Sequence, residues 1–168
     1  MGDTGQEATL WQAEAISGFA KSELFDRTFH EGMSLVEETA GYLDGAGRQD
    51  SKLLSRNAAL SYASESMRLT TRLMQVASWL LVQRAVREGD MAPEAALDAS
   101  YRLGNEAEED RAAPVEPLPV TLADLVDRSE RLFERVRHLD SRMYAPAAPD
   151  AAHPVLSQLE RLKDAFGS

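Results

Sequence analysis

Apolar residues recur at spacings of three and four along most of this chain, the period of helices that bury one face. From Ser22 onward Phe25, Phe29, Met33, Val36, Ala40 and Leu43 form such a row, with Ser22 as its N-cap and Gly45 and Gly47 past its end, which predicts a helix over 22–45. The longest element is expected over 54–88. There Leu60, Met67, Met74 and Leu81 fall at sevens, with Ala63, Thr70 and Ala77 between them. A second row, Leu69, Leu73, Val76 and Leu80, widens this face beyond a two-stranded seam and predicts a helix with several neighbours. Leu122, Leu125, Ser129, Leu132, Val136, Leu139 and Met143 mark a third long helix, opened by the capping-box shape Thr121 to Asp124 and stopped before Pro146.

Shorter stretches are less regular. Residues up to about Ala20 carry only Leu10, Trp11, Ile16 and Phe19, a frayed or short docking helix. Pro93 near the start and Gly104 just past the end outline a short helix ending near Leu103. In 154–166 Leu156, Leu159, Leu162 and Phe166 fall at helical spacing, but so short a helix is marginal in water unless it lies on something. All seven prolines follow residue 92, so the first half can run as continuous helix while the second is broken. Period-two alternation is absent. The reading is all-α: an antiparallel three-helix bundle with short accessory helices and a flexible C-terminal tail. It divides into a partly ordered N-terminal segment 1–21, a bundle domain 22–144 that includes an acidic linker 105–119, and an Ala/Pro-rich tail 145–168.

Charge narrows the partners. The chain carries a formal −10, unsuited to the phosphate backbone of a nucleic acid. Its distribution is uneven: 52–90 holds six basic residues against three acidic ones, a net +3, so the remainder carries −13. A basic segment within an acidic chain favours self-association or an acidic protein partner. No apolar run approaches the roughly 20 residues that span a bilayer, and the acidic start lacks the basic and apolar regions of a signal peptide, so a cytoplasmic protein without a membrane partner is expected.

The side chains that catalysis needs are not grouped. There is no cysteine, which removes disulfides, thiol nucleophiles and thiolate zinc sites. None of His30, His138 and His153 stands three residues after a Glu, as di-iron bundles require; His138 follows Glu134 by four, the spacing of a surface ion pair. Gly45 and Gly47 lack the strand, third glycine and lysine of a phosphate loop, and Glu37 and Glu38, adjacent on a helix, point apart. No enzyme, metal or cofactor is expected.

The candidate sites are therefore binding surfaces. Arg68 and Arg72 lie four apart beside an apolar stripe: either solvated charges whose stems cover it, or guanidinium forks for a partner's carboxylates. Leu156, Leu159, Leu162 and Phe166 form a recruitment element on a proline-rich tether. Trp79 is read as core.

Two segments, 32–45 (GMSLVEETAGYLDG) and 59–86 (ALSYASESMRLTTRLMQVASWLLVQRAV), resemble the RcdA family of alphaproteobacteria, regulators of CtrA degradation also catalogued as a domain of unknown function. The likeness covers the first two long helices closely, and the helix 92–103 with the acidic linker in general character; beyond about residue 112 no motif carries it. It implies a dimeric three-helix bundle, not an enzyme, that serves as an adaptor for a ClpXP-type protease acting on cell-cycle regulators, together with a response-regulator-like partner. The alternative built from the same features is a structural or regulatory homodimer with no role in proteolysis.

Overall fold

A computed structural model describes residues 3–104, 116–144 and 162–166. Its elements in chain order are α1 (Asp3–Ala20), α2 (Glu23–Asp44), α3 (Ala46–Lys52), α4 (Arg56–Arg87), two 3₁₀ turns (Ala95–Leu97 and Ala99–Tyr101) and α5 (Val120–Tyr144). Among the described residues there is no strand, and the all-α class expected from the periodicity is the fold observed; the antiparallel order does not hold throughout, because Arg72 meets Ser129 and Trp79 meets Asp140, so α4 and α5 run in the same direction.

Helix α4 is the hub. Its 32 residues extend about 48 Å at the helical rise, and α1, α2 and α5 all pack against it. The buried face is built from Leu69, Leu73, Val76, Trp79, Leu80 and Val86, which share one core cluster with Leu122, Leu125, Leu132, Phe133 and Val136 of α5. The expected rows of α4 thus part company: Leu69, Leu73, Val76 and Leu80 form the core contact, while the row at sevens points outward.

Helix α2 shows a related offset. Ser22 caps it as expected, accepting a hydrogen bond from the Phe25 N–H at 3.2 Å. Its buried row is Phe25, Thr28, Gly32, Leu35, Thr39 and Tyr42, whereas Phe29, Met33, Val36 and Leu43 lie half-buried beside it and Ala40 is exposed. Gly32 sits where a Cβ would come 2.8 Å from the Leu80 side chain, so the missing side chain lets α2 close on α4.

Three local expectations are corrected. The N-terminal segment is an 18-residue helix, and it docks through Ala13, Ile16 and Ala20, two of them alanines that give little amphipathic signal. Phe19 joins an aromatic cluster, with ring centroids 5.8 Å from Phe25 and 5.6 Å from Trp79. The stretch that follows Pro93 is not one α-helix but two 3₁₀ turns, because Asp98 adopts an extended ψ between them and caps the second by accepting from the Ser100 N–H at 2.9 Å. Helix α5 begins at Val120, with Ala123 N–H bonded to the Pro119 carbonyl, so Thr121 lies inside the first turn rather than at the cap.

Glycines 45 and 47 close α2 but do not release the chain into a loop: α3 starts at once and folds back. Gly47 is buried, and a Cβ there would lie 2.7 Å from the Tyr42 carbonyl oxygen. Tyr42 donates to Asp50 Oδ2 at 2.8 Å, tying α2 to α3. Burial first, and the Asp50 bond second, push the Tyr42 hydroxyl far above its ordinary range. Most of the acidic linker (105–115), the domain tail at 145–161, and with it Leu156 and Leu159, lie outside the described residues.

Candidate protein-interaction surface

The two arginines singled out by sequence are placed apart in environment. Arg72 is 5% exposed: its Nη1 donates to Ser129 Oγ on α5 at 2.9 Å, and its other nitrogen lies 3.7 Å from Glu130. Its guanidinium is turned into the α4–α5 contact, so it is neither a solvated charge nor an open fork. Arg68 is part-exposed and donates to Glu65 at 3.0 Å along its own helix. The structure therefore does not bring the pair together as one carboxylate-binding stripe.

What α4 does present outward is apolar. Leu60 is 62% exposed, Met67 72%, Met74 65% and Leu81 51%. Ala63 and Thr70 between them are exposed too. Scattered surface leucines are ordinary, but four large apolar side chains at sevens along one helix make a continuous band. Leu53, just ahead of the helix, is more exposed still.

Met74 stands as a ridge between two grooves. On one side α2 and α4 enclose about 310 Å³ lined by Val36, Ala40, Leu43, Leu73 and Ala77. The buried Thr39 hydroxyl on that wall has no hydrogen-bond partner among the described residues. On the other side α4 and the 100–104 stretch frame about 540 Å³ beside Gln75, Ser78, Val82, Tyr101 and Arg102. This wall is held by a buried carboxylate: Asp140 accepts from Trp79 Nε1 at 3.1 Å, Arg102 at 3.1 Å and the Leu103 N–H at 3.2 Å. Trp79 is core, as its sequence position suggested.

Several charges elsewhere on the surface pair across helices. Arg128 of α5 grips both oxygens of Glu38 on α2 at 2.8 Å, and this bond holds the Glu38 carboxyl below its ordinary range. Arg135 pairs with Glu31, and Arg87 with Asp26. His138 stands 3.3 Å from Glu134, the surface pair its spacing predicted. Among the described residues no three His, Cys, Asp or Glu side chains are grouped so as to hold a metal ion, and no helix is long and apolar enough to cross a membrane.

Of the tail residues, Leu162 and Phe166 occupy a short helical turn and are exposed. The outer band of α4 is visible in the sequence as the row at sevens, where it reads together with the second row as one wide face meeting several neighbours. The signal that could have separated the rows is their content: small residues alternate with the large ones in the outer row, whereas the inner row is uniformly bulky.

A family model described as a protein of unknown function (DUF1465) matches residues 16–166. The crystal structure of RcdA from Caulobacter crescentus CB15 is similar at 72% identity and a TM-score of 0.64, over 76% of this chain and 97% of that one. No curated protein matches the chain.

Proposed function

Given that this chain belongs to the RcdA family, the family described as DUF1465, we propose that it is a non-enzymatic adaptor in regulated proteolysis. In this reading it works as a homodimer in the cytoplasm, helping a ClpXP-type ATP-dependent protease to degrade cell-cycle regulators, alongside a response-regulator-like partner. The observation that carries the reading is the 72% identity to RcdA along 97% of that chain. The surface agrees with it in kind: an unspent apolar band on the central helix, with grooves at its flanks, suits binding to another protein. Leu162 and Phe166, with Leu156 and Leu159 before them, supply a second apolar element for recruitment.

The test is reconstitution. Purified ClpXP, ATP and a candidate cell-cycle regulator are combined with and without this protein and the response-regulator-like partner, and client half-life is followed. The reading expects faster degradation only when this protein is present, and slower delivery when residues 145–168 are removed. Equal half-lives with and without the protein, across the regulators it captures from its own cytosol, overturn it in favour of a homodimer unrelated to proteolysis.

A further inference from the structure

The outer band of α4 has a repeat that specifies its own complement. Large residues occupy one position of a seven-residue repeat (Leu60, Met67, Met74, Leu81) and small ones the other (Ala63, Thr70, Ala77). Continued by one step, the small row reaches Arg56 at the start of the helix and the large row reaches Glu88 at its end, both exposed. Glu88 is held 2.9 Å from Arg84, while Arg56 has no partner among the described residues.

We propose that this band is an antiparallel seam between the α4 helices of two copies of this chain, in the register that sets Arg56 of each copy against Glu88 of the other. This rests on the reading of the protein as a homodimer and adds to it the face, the direction and the register.

In that register Met67 faces Ala77, Met74 faces Thr70 and Leu81 faces Ala63. Each of these layers holds one large and one small residue, so the helices approach closely there without overfilled or empty layers. Leu60 meets Arg84, whose aliphatic stem covers it. The same two-fold operation forms both Arg56–Glu88 pairs, as a closed isologous dimer requires. Sliding by one repeat keeps the large–small alternation but sets Leu81 against Arg56 and leaves Glu88 unmatched. A parallel arrangement stacks Met67 on Met67 and Ala63 on Ala63, and opposes Arg56 to Arg56.

The charges that this register brings together at the ends of the seam, Arg56 and Glu88, are opposite in sign. The groove beside Met74, lined by Val36, Ala40 and Leu43, continues the apolar band onto α2 and leaves room for the unbranched methionine side chains to settle.

The full chain and its Met67→Glu/Met74→Glu variant are compared by light scattering after size exclusion across a concentration series. A dimer for the wild type and self-association at least about 100-fold weaker for the variant are expected, with unchanged helicity, since both side chains are exposed. Direction is read by disulfide trapping, which the cysteine-free chain permits. Mixed Ala63→Cys and Leu81→Cys proteins should form the mixed disulfide. A monomeric wild type overturns the homodimer reading and the seam with it. A wild-type dimer matched by an equally tight variant overturns the seam alone, and efficient Ala63→Cys pairing with itself overturns the antiparallel direction.

Discussion

Trp79 on α4 donates its indole N–H to the carboxylate of Asp140 on α5 over 3.1 Å, both of them buried. The same carboxylate receives Arg102 and the Leu103 N–H, so one side chain joins the two longest helices and the stretch that walls the groove beside Met74. A carboxylate taken from water is tolerable because several donors meet it there.

Replacing Asp140 by Ala strands a buried indole N–H and a buried backbone N–H at once. A loss of about 3 kcal/mol is expected, measured by chemical denaturation. Amide exchange should quicken first around Leu103, since its bond to α5 is the one removed.

Arg72 invites a different pair of substitutions. Arg72→Ala removes a buried guanidinium and its packed stem and should cost about 3 kcal/mol. Arg72→Met keeps most of the volume, and the Ser129 hydroxyl still donates to the Val126 carbonyl at 2.8 Å while Glu130 reaches solvent. The Met variant is therefore expected within about 1 kcal/mol of wild type. Thermal melts of both variants distinguish a role in the α4–α5 contact from a role in partner binding, for which the two substitutions would be equally harmful.

Gly47 leaves no space for a side chain. With a Cβ 2.7 Å from the Tyr42 carbonyl and 2.5 Å from the Tyr62 hydroxyl, Gly47→Ala must shift α3 away from the end of α2. A destabilisation of about 2 kcal/mol is expected, read as a lowered melting temperature.

Tyr144 makes stability sensitive to alkali. Its hydroxyl, which donates to the Ala96 carbonyl at 2.5 Å, is pushed up to about 12, by burial first and by the Asp140 charge second. The folded state favours the neutral phenol, so this contribution is full below the ordinary pKa near 10 and is lost as pH rises through about 12. Denaturation midpoints taken from pH 9 to 12 should fall more steeply for the wild type than for Tyr144→Phe.

The helical class, the three long elements and the Ser22 cap were legible because each rests on local chemistry: apolar period, side-chain capping and the positions of proline and glycine. Helix α1 was underread because its docking face is made partly of alanine, whose burial depends on how near the neighbour comes. The two 3₁₀ turns depend on Asp98 and on Asp140 from a distant helix, which no local window contains.

The row at sevens illustrates the division most directly. By itself the sequence determined that the apolar face of α4 is wider than a two-stranded seam and that one of its rows alternates large with small. Which row enters the core was decided only when α1, α2 and α5 closed on Leu69, Leu73, Val76 and Leu80 and left Leu60, Met67, Met74 and Leu81 in solvent. Arg72 followed the same logic, its place between solvent and core set by Ser129 and Glu130 on α5. Periodicity is a property of one helix, whereas burial is a property of the neighbours that helix meets.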